Sequence, residues 1–257
     1  MASTNNTAMS FASPSFKANR IFKNFAAPAL CALLAMAAAR AEKPGGAEDP
    51  LHSAAPDPIG GYYTGAFGPT KITVRLEKID GNNVSGFSLV DGVERPFSGM
   101  LSRDANGTVF TLREPGDDKH DGVFKFSLAN GAQPRLVGTW VENETHIKVD
   151  FDLPKREFKY DPTVGQHPET STRRLTEKDV ENVKKEDLWL MRNEIYARHG
   201  LSFNLTGEKA PPFGKLEWYM PVTLNVRGSL TDLEIANESL LQRYENYNKA
   251  RATSFGR

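Results

Sequence analysis

The sequence predicts an α+β protein of two domains, in which an antiparallel β-barrel precedes a small, mostly helical domain. Between residues 59 and 153, apolar residues alternate with polar ones, and this period of two indicates strands with one buried face. Over residues 173–250, apolar residues recur every three or four positions, which is the period of an amphipathic helix. The change falls at a proline-containing, highly charged segment, residues 154–172, which we predict to be a linker.

The first 41 residues have the features of a secretory signal peptide. A basic stretch, residues 17–23, precedes an apolar run over residues 25–39. The sequence Ala-Arg-Ala that ends at Ala41 matches the small-x-small cleavage pattern, so we predict cleavage after Ala41. The apolar run is shorter than the roughly 20 residues that a membrane span needs. We therefore expect no transmembrane anchor after cleavage, and an uncleaved N-terminal membrane anchor is the alternative.

Charge and cysteine content exclude several classes of function. The formal net charge is +0, and removing the signal peptide takes away four of the 32 basic residues, which leaves 28 against 32 acidic residues and a net charge of −4. A mildly acidic protein is not expected to bind nucleic acid. The single cysteine, Cys31, lies inside the predicted signal peptide. The exported protein is therefore expected to have no disulfide and no cysteine nucleophile.

Eight short runs of alternating residues follow a segment rich in proline, glycine and alanine, residues 42–58, which we predict to be a disordered spacer. Glycine, asparagine and aspartate lie between the runs and are typical of tight turns. The runs lie near residues 60–67, 70–79, 83–90, 95–102, 107–114, 121–129, 135–142 and 145–153. Closing such a meander removes its exposed edges, so we predict an eight-stranded up-and-down barrel. A flattened barrel or a sandwich is the alternative.

The seventh run contains Gly-Thr-Trp at residues 138–140. This Gly-x-Trp resembles lipocalin-type barrels in architecture only, because in lipocalins it lies in the first strand. A barrel of about eight strands is either filled by side chains or holds one small ligand. The abundance of phenylalanine favours a filled core. The phenylalanines assigned to this core are Phe87, Phe97, Phe110, Phe124, Phe126 and Phe151.

The helical domain is organised around residues 188–200. Leu188, Met191 and Ile195 fall on one face of a helix. Gly200 stands where a helix commonly ends, because glycine enters the left-handed cap conformation freely.

Two further helices are predicted from capping sequences. Thr-x-x-Asp at residues 176–179 begins a short helix, and Thr-x-x-Glu at residues 231–234 begins the last one. A long loop, residues 201–229, separates the central helix from the last helix.

The motif Tyr-Ala-Arg-His-Gly occupies residues 196–200. Arg-Asn-Glu-Ile precedes it at residues 192–195, and Phe203 and Trp-Tyr-Met-Pro at residues 218–221 follow it. Together these features resemble the YARHG domain over about residues 173–247. The resemblance implies an extracellular bacterial module that accompanies varied partner domains and binds at the cell envelope. It implies no established reaction.

Polar and aromatic side chains in and near the motif are candidate binding residues. They are Arg192, Asn193, Glu194, Tyr196, Arg198, His199, Trp218 and Tyr219. Aromatic faces stack on sugars while polar groups bond their hydroxyls, so we predict contact with peptidoglycan, another glycan or an envelope protein. The same side chains could instead hold the domain together. Glu194 and Arg198 are four residues apart and can form an ion pair, and Arg192, Asn193 and His199 could bond the loop backbone around Trp218.

We predict no catalytic residue, no cofactor and no metal site. The five histidines are scattered without ligand spacing, and the sequence has no nucleophile elbow, phosphate loop or dinucleotide fingerprint. The first hypothesis is a secreted or periplasmic, non-catalytic binding protein of the bacterial cell envelope. The alternatives are a lipocalin-like carrier that holds a small apolar ligand in the barrel, and a hydrolase that uses His199 and Glu194.

Overall fold

The computed structural model describes residues 58–105, 107–116, 118–129, 131–207 and 209–255. The predicted signal peptide, and all but the last residue of the predicted spacer, lie outside these residues. Within them, eight strands are followed by four α-helices and one short 3-10 helix.

The eight strands close into a barrel. They are β1 (Gly61–Phe67), β2 (Thr70–Asp80), β3 (Asn83–Val90), β4 (Val93–Asp104), β5 (Gly107–Arg113), β6 (Gly122–Ala129), β7 (Arg135–Glu142) and β8 (Lys148–Arg156). Each strand pairs antiparallel with the next, and β8 pairs with β1 through Tyr62 opposite Arg156 and Tyr63 opposite Lys155. The predicted eight-stranded up-and-down barrel is confirmed.

Apolar side chains fill most of the barrel interior. Along β2, Ile72, Val74 and Leu76 are each 1% exposed, as their alternation with polar residues predicts. The rings of Phe110 and Phe126 stack with their centroids 4.8 Å apart. Each large apolar side chain buried in this way contributes about 1.5–3 kcal/mol to folding. The interior is therefore a hydrophobic core along much of its length.

The third strand departs from regular pairing at Gly86. A Cβ on Gly86 would lie 1.9 Å from the carbonyl oxygen of Arg75, and the register between β2 and β3 shifts between Leu76 and Lys78. Only glycine permits this close approach, which marks a bulge in the barrel wall. Phe87 follows Gly86 and points outward, with the Arg75 guanidinium 5.7 Å from its ring centroid. The assignment of Phe87 to the core was therefore wrong, because the buried residue of this pair is Gly86.

The remaining chain forms the predicted helical domain. Its elements are α1 (Glu169–Thr172), α2 (Glu177–Val180), α3 (Lys185–Arg198), a 3-10 helix (Pro212–Lys215) and α4 (Asp232–Phe255). Both predicted capping pairs form: the Thr176 amide donates to the Asp179 carboxylate at 2.7 Å, and the Thr231 amide donates to the Glu234 carboxylate at 3.0 Å. Among the helices of the described residues, none is both long enough and apolar enough to cross a membrane.

The segment predicted as a linker, residues 154–172, begins inside β8 and ends with α1. Its central part lies against α3, where the backbone amides of Gln166 and His167 donate to the Glu194 carboxylate. These contacts join Glu194 on α3 to residues that precede it by 28 and 27 positions.

Lys71 on β2 joins the barrel to the helical domain. It is 7% exposed, and its Nζ donates to the carbonyl oxygens of Leu216, at 2.6 Å, and Tyr219, at 3.0 Å. Burial and the nearby charge of Arg156 lower the pKa of Lys71 to about 8. The outer wall of the barrel at β2 is thus covered by the chain that follows the motif.

Candidate functional site

The motif ends helix α3 and turns the chain sharply. Leu188, Met191 and Ile195 are buried in the core of the helical domain, as their spacing predicts. Gly200 follows with a φ of +79°, and a Cβ there would lie 2.5 Å from the Val222 side chain. Glycine is required at this corner both for its backbone conformation and for the space it leaves.

Glu194 and Arg198 form a buried ion pair. Arg198 Nη2 lies 2.9 Å from Glu194 Oε2, and the two residues are 2% and 1% exposed. Glu194 also accepts the backbone amides of Gln166 at 2.9 Å and His167 at 2.8 Å. The ion pair predicted from the four-residue spacing is confirmed, and its carboxylate additionally holds the segment that precedes α1.

Arg198 uses its remaining donors to fix the same segment. Its Nε donates to the Val164 carbonyl at 2.7 Å, and its Nη2 donates to the His167 carbonyl at 2.8 Å. Its Nη1 donates to the hydroxyls of Thr170, at 2.8 Å, and Ser171, at 3.0 Å. A planar guanidinium can satisfy several acceptors at once in this manner. Arg198 therefore cross-links α3 to α1 and to the backbone before it.

His199 is sandwiched between an aromatic ring and a carboxylate. Its ring stacks on that of Tyr160, with centroids 4.3 Å apart and an angle of 19° between the planes. Its Nε2 lies 2.8 Å from Glu234 Oε2. Glu234 Oε1 accepts the hydroxyls of Tyr160 at 3.0 Å and Ser171 at 2.7 Å. The imidazole thus joins the end of α3 to the start of α4.

Glu234 has two structural roles. It pairs with Thr231 in the capping interaction that begins α4, and it is fully buried. Burial alone would raise its pKa, but the hydrogen bonds from His199, the Thr231 amide and Ser171 lower the pKa of Glu234 to about 2. The carboxylate is therefore ionised and fully hydrogen-bonded near neutral pH.

The remaining predicted residues of α3 are also held within the domain. The Tyr196 hydroxyl donates to Glu238 on α4. Arg192 forms a two-point ion pair with Glu245, with its Nε 2.6 Å and its Nη2 3.1 Å from the two carboxylate oxygens. These bonds fix α3 against α4 along its length.

Asn193 donates from Nδ2 to the carbonyl oxygen of Trp189, one turn earlier in α3, at 2.7 Å. Asn193 and the other two residues predicted to bond the backbone around Trp218 therefore have different partners. Trp218 follows the 3-10 helix, and its ring contacts those of Phe213 and Tyr219. The packing of aromatic rings, rather than hydrogen bonds from α3, supports this part of the loop.

The two aromatic candidates of the loop have different environments. Tyr219 is 0% exposed, and its hydroxyl donates to the Leu201 carbonyl at 2.8 Å. Trp218 is half-buried and lines a groove. Of the eight predicted binding residues, Trp218 and the edge of Arg198 reach this groove, while the others named above serve the interior or the α3–α4 contact.

The groove has a volume of about 510 Å³ and lies between the loop around Trp218 and the chain that leaves β8. Aromatic rings and charged side chains share its surface. Those that the sequence did not identify are Arg156, Glu157, Phe158, Lys159, Tyr160 and Asp161. Nothing in the sequence assigned them to a site, because they lie in the segment that was predicted to be a linker. Within the described residues, no three His, Cys, Asp or Glu side chains are grouped to hold a metal ion.

The fold and the network define a β-barrel protein with a C-terminal helical domain that is cross-linked internally by buried ion pairs. Residues 166–246 match the family model of the YARHG domain. The predicted resemblance of this region to the YARHG domain is thereby confirmed, and that domain is found in extracellular or periplasmic proteins. Comparison with curated proteins and comparison with solved structures give no match.

Proposed function

We propose that the chain is a non-catalytic binding protein of the bacterial cell envelope. A signal peptide, cleaved after Ala41, directs it to the periplasm or the exterior, and the groove beside Trp218 contacts a glycan such as peptidoglycan. The YARHG family supports an envelope location, because its members are extracellular or periplasmic. The groove supports the choice of ligand.

The observation that carries this proposal is the combination of ring faces and charged groups in one open groove. Trp218 and Phe158 present apolar surface, and Lys159 and Glu157 are exposed beside them. Sugar recognition needs apolar ring faces for stacking and charged or polar groups for the hydroxyls. A strand of glycan can lie in such a groove without being enclosed, as an insoluble polymer requires.

A binding role without catalysis is supported by the state of the two residues that a hydrolase would use. His199 bonds Glu234 through Nε2 and stacks on Tyr160, and it is 8% exposed. Glu194 is bonded to Arg198 and to two backbone amides. A general base needs direct access to the proton it removes, and both groups are occupied by internal partners.

The second candidate function is a carrier with a small ligand in the barrel. A cavity of about 430 Å³ at one end of the barrel favours it. Apolar side chains fill the interior beyond that end, so a ligand would occupy the mouth and not the full length of the barrel.

Binding to purified peptidoglycan sacculi tests the glycan proposal. The purified protein is expected to sediment with sacculi, and Trp218→Ala is expected to weaken the apparent affinity about tenfold, or 1.4 kcal/mol, by removing the stacking face. Trp189→Ala is the matched control, because Trp189 is a half-buried tryptophan that lines a different groove. If Trp218→Ala does not fold, Lys159→Gln at the exposed edge of the groove takes its place.

Three results would contradict the proposal. The first is that the protein does not sediment with sacculi but is retained by envelope membranes in a separate assay, which would indicate an envelope protein as the partner. The second is a loss of binding in Trp189→Ala that equals the loss in Trp218→Ala. The third is release of soluble sugar fragments from the sacculi, which would show catalysis.

A further inference from the structure

One end of the barrel is open and forms a cavity of about 430 Å³. Its apolar surface comes from Phe67 and Ile72 on the first two strands and from Phe124 and Trp140 on β6 and β7. A cavity of this volume is within the range that holds small molecules. The ring centroids of Phe67 and Trp140 are 5.7 Å apart, so the two rings form a continuous aromatic wall.

Glu114 lines this cavity and is 5% exposed. Its Oε1 accepts the Ser88 hydroxyl at 2.8 Å, and its Oε2 accepts the Gly122 amide at 2.7 Å and Trp140 Nε1 at 3.1 Å. All three donors are neutral. The Glu114 carboxyl group is thus hydrogen-bonded by neutral groups, and no cation is bonded directly to it.

Two more carboxylates stand at the rim of the cavity. Asp91 accepts the Thr70 hydroxyl at 2.5 Å and the Leu205 amide at 3.0 Å. Glu142 lies 2.9 Å from the ring Nδ1 of His120. Each of these carboxylates lines the cavity.

The only guanidinium among the residues that line the cavity is that of Arg95, and its Nε lies 3.3 Å from the carboxylate of Asp121. With histidine counted as neutral, one guanidinium and three carboxylates give the lining a formal charge of −2. The ion pair with Asp121 offsets part of the positive charge of Arg95, so negative charge predominates around the cavity.

We propose that this end of the barrel binds a small organic cation, an ammonium or amidinium group carried on a compact apolar body. The cationic group lies against Glu114, and the apolar body lies against the rings of Phe67, Phe124 and Trp140. Electron-rich ring faces attract cations, most strongly in tryptophan and at desolvated sites. The inference rests on the cavity at this end of the barrel and is independent of the glycan proposal.

The negative charge of the cavity lining disfavours anionic and neutral ligands of the same size. An anion would enter beside three carboxylates, and a neutral apolar molecule would cover Glu114 without pairing its charge. Burial raises the pKa of Glu114 above its usual value, because desolvation disfavours the ionised form. An entering cation favours the ionised form and gains an ion pair with it.

The helical domain supplies one wall of the cavity. Asn204 and Thr206, from the loop after α3, line it together with the barrel strands. Asp91 anchors this loop through the Leu205 amide and the Thr206 hydroxyl, the latter at 3.1 Å. The site therefore requires both domains and is assembled where they meet.

Calorimetric titration of the full protein with three aromatic probes of similar size tests the proposal. Benzylamine is expected to bind, benzyl alcohol to bind about tenfold more weakly or worse, and benzoate to give no heat of binding up to about 10 mM. Glu114→Gln is expected to weaken benzylamine binding at least about tenfold. Glu94→Gln is the control, because Glu94 is exposed, lies beside Arg95 in β4 and is absent from the cavity lining.

Equal or tighter binding of the alcohol or the benzoate, or no binding of benzylamine up to about 10 mM, overturns the proposal. An equal loss in Glu94→Gln and Glu114→Gln also overturns it. The comparison of probes on the unmodified protein decides the question even if Glu114→Gln does not fold. A change in tryptophan fluorescence on adding benzylamine is expected to disappear in Trp140→Phe, and its persistence places the amine elsewhere.

Discussion

Replacing Arg198 by methionine is expected to destabilise the helical domain by about 3–5 kcal/mol. The substitution keeps an unbranched side chain that fills part of the same space but removes the charge that is paired with Glu194. That carboxylate is 1% exposed and would remain buried without its cation. The hydroxyls of Thr170 and Ser171 would also lose their donor. Urea unfolding followed by circular dichroism measures the loss.

The matched control is Arg243→Met, which removes an arginine from an exposed ion pair. Arg243 and Glu177 are 2.9 Å apart, with side chains 62% and 68% exposed. An exposed pair contributes about 0–1 kcal/mol, so this variant is expected to unfold close to the unmodified protein. Adding Glu194→Gln to Arg198→Met is expected to restore part of the lost stability. Equal effects of the two single arginine variants would contradict a structural role for the motif arginine.

Acid is expected to weaken the helical domain through Glu234. The pKa of this carboxyl falls from the usual 4.5 to about 2 in the folded chain. A lowered carboxyl pKa means that the stabilisation is fully present above about pH 4.5 and is lost as the pH falls through about 2. The difference corresponds to about 3 kcal/mol at neutral pH. It arises because His199, Thr231 and Ser171 bond the ionised form.

Urea unfolding between pH 6 and pH 2 tests this dependence. Glu234→Gln cannot titrate, so its stability is expected to fall less over this range than that of the unmodified protein, by about 3 kcal/mol. Glu181→Gln is the control, because Glu181 is exposed and is expected to keep the full pH dependence. If Glu234→Gln and Glu181→Gln show the same dependence, the bonds to Glu234 do not carry the acid sensitivity.

Periodicity predicted the fold well because strands and helices each leave a local pattern. Ile72, Val74 and Leu76 alternate in the sequence and are all buried in the barrel. Leu188 and Ile195 lie on the same face of α3 and are likewise buried. The close approach of the Arg75 carbonyl to Gly86 was not predicted, because it depends on which strands become neighbours.

The partners within the site could be predicted only where they are close in the chain. Glu194 and Arg198 are four residues apart and were identified as a pair. Tyr160 and Glu234 meet at His199 from segments 74 residues apart, and no local pattern connects them. The capping sequence identified Glu234 as a residue that begins α4, but it did not predict the contact of Glu234 with the His199 ring.

The sequence does contain evidence for a carboxylate in the cavity at the end of the barrel. Glu114 continues the inward-facing positions Phe110 and Leu112 of β5, so its alternation places a carboxylate in the interior. A charged residue at an inward position is unusual in a core and marks a site. The depth of the cavity and the loop over it depend on the packing of the helical domain.

The central claim is that the buried pair of Glu194 and Arg198 holds the segment before α1 in the helical domain, while the proposed binding groove lies on the surface beside it. Hydrogen exchange of the Gln166 and His167 amides tests this directly, because both donate to the buried Glu194 carboxylate. These two amides are expected to be protected as strongly as those of α3, and to lose their protection in Arg198→Met. Exchange of both amides in the unmodified protein at the rate of an exposed loop would contradict the account.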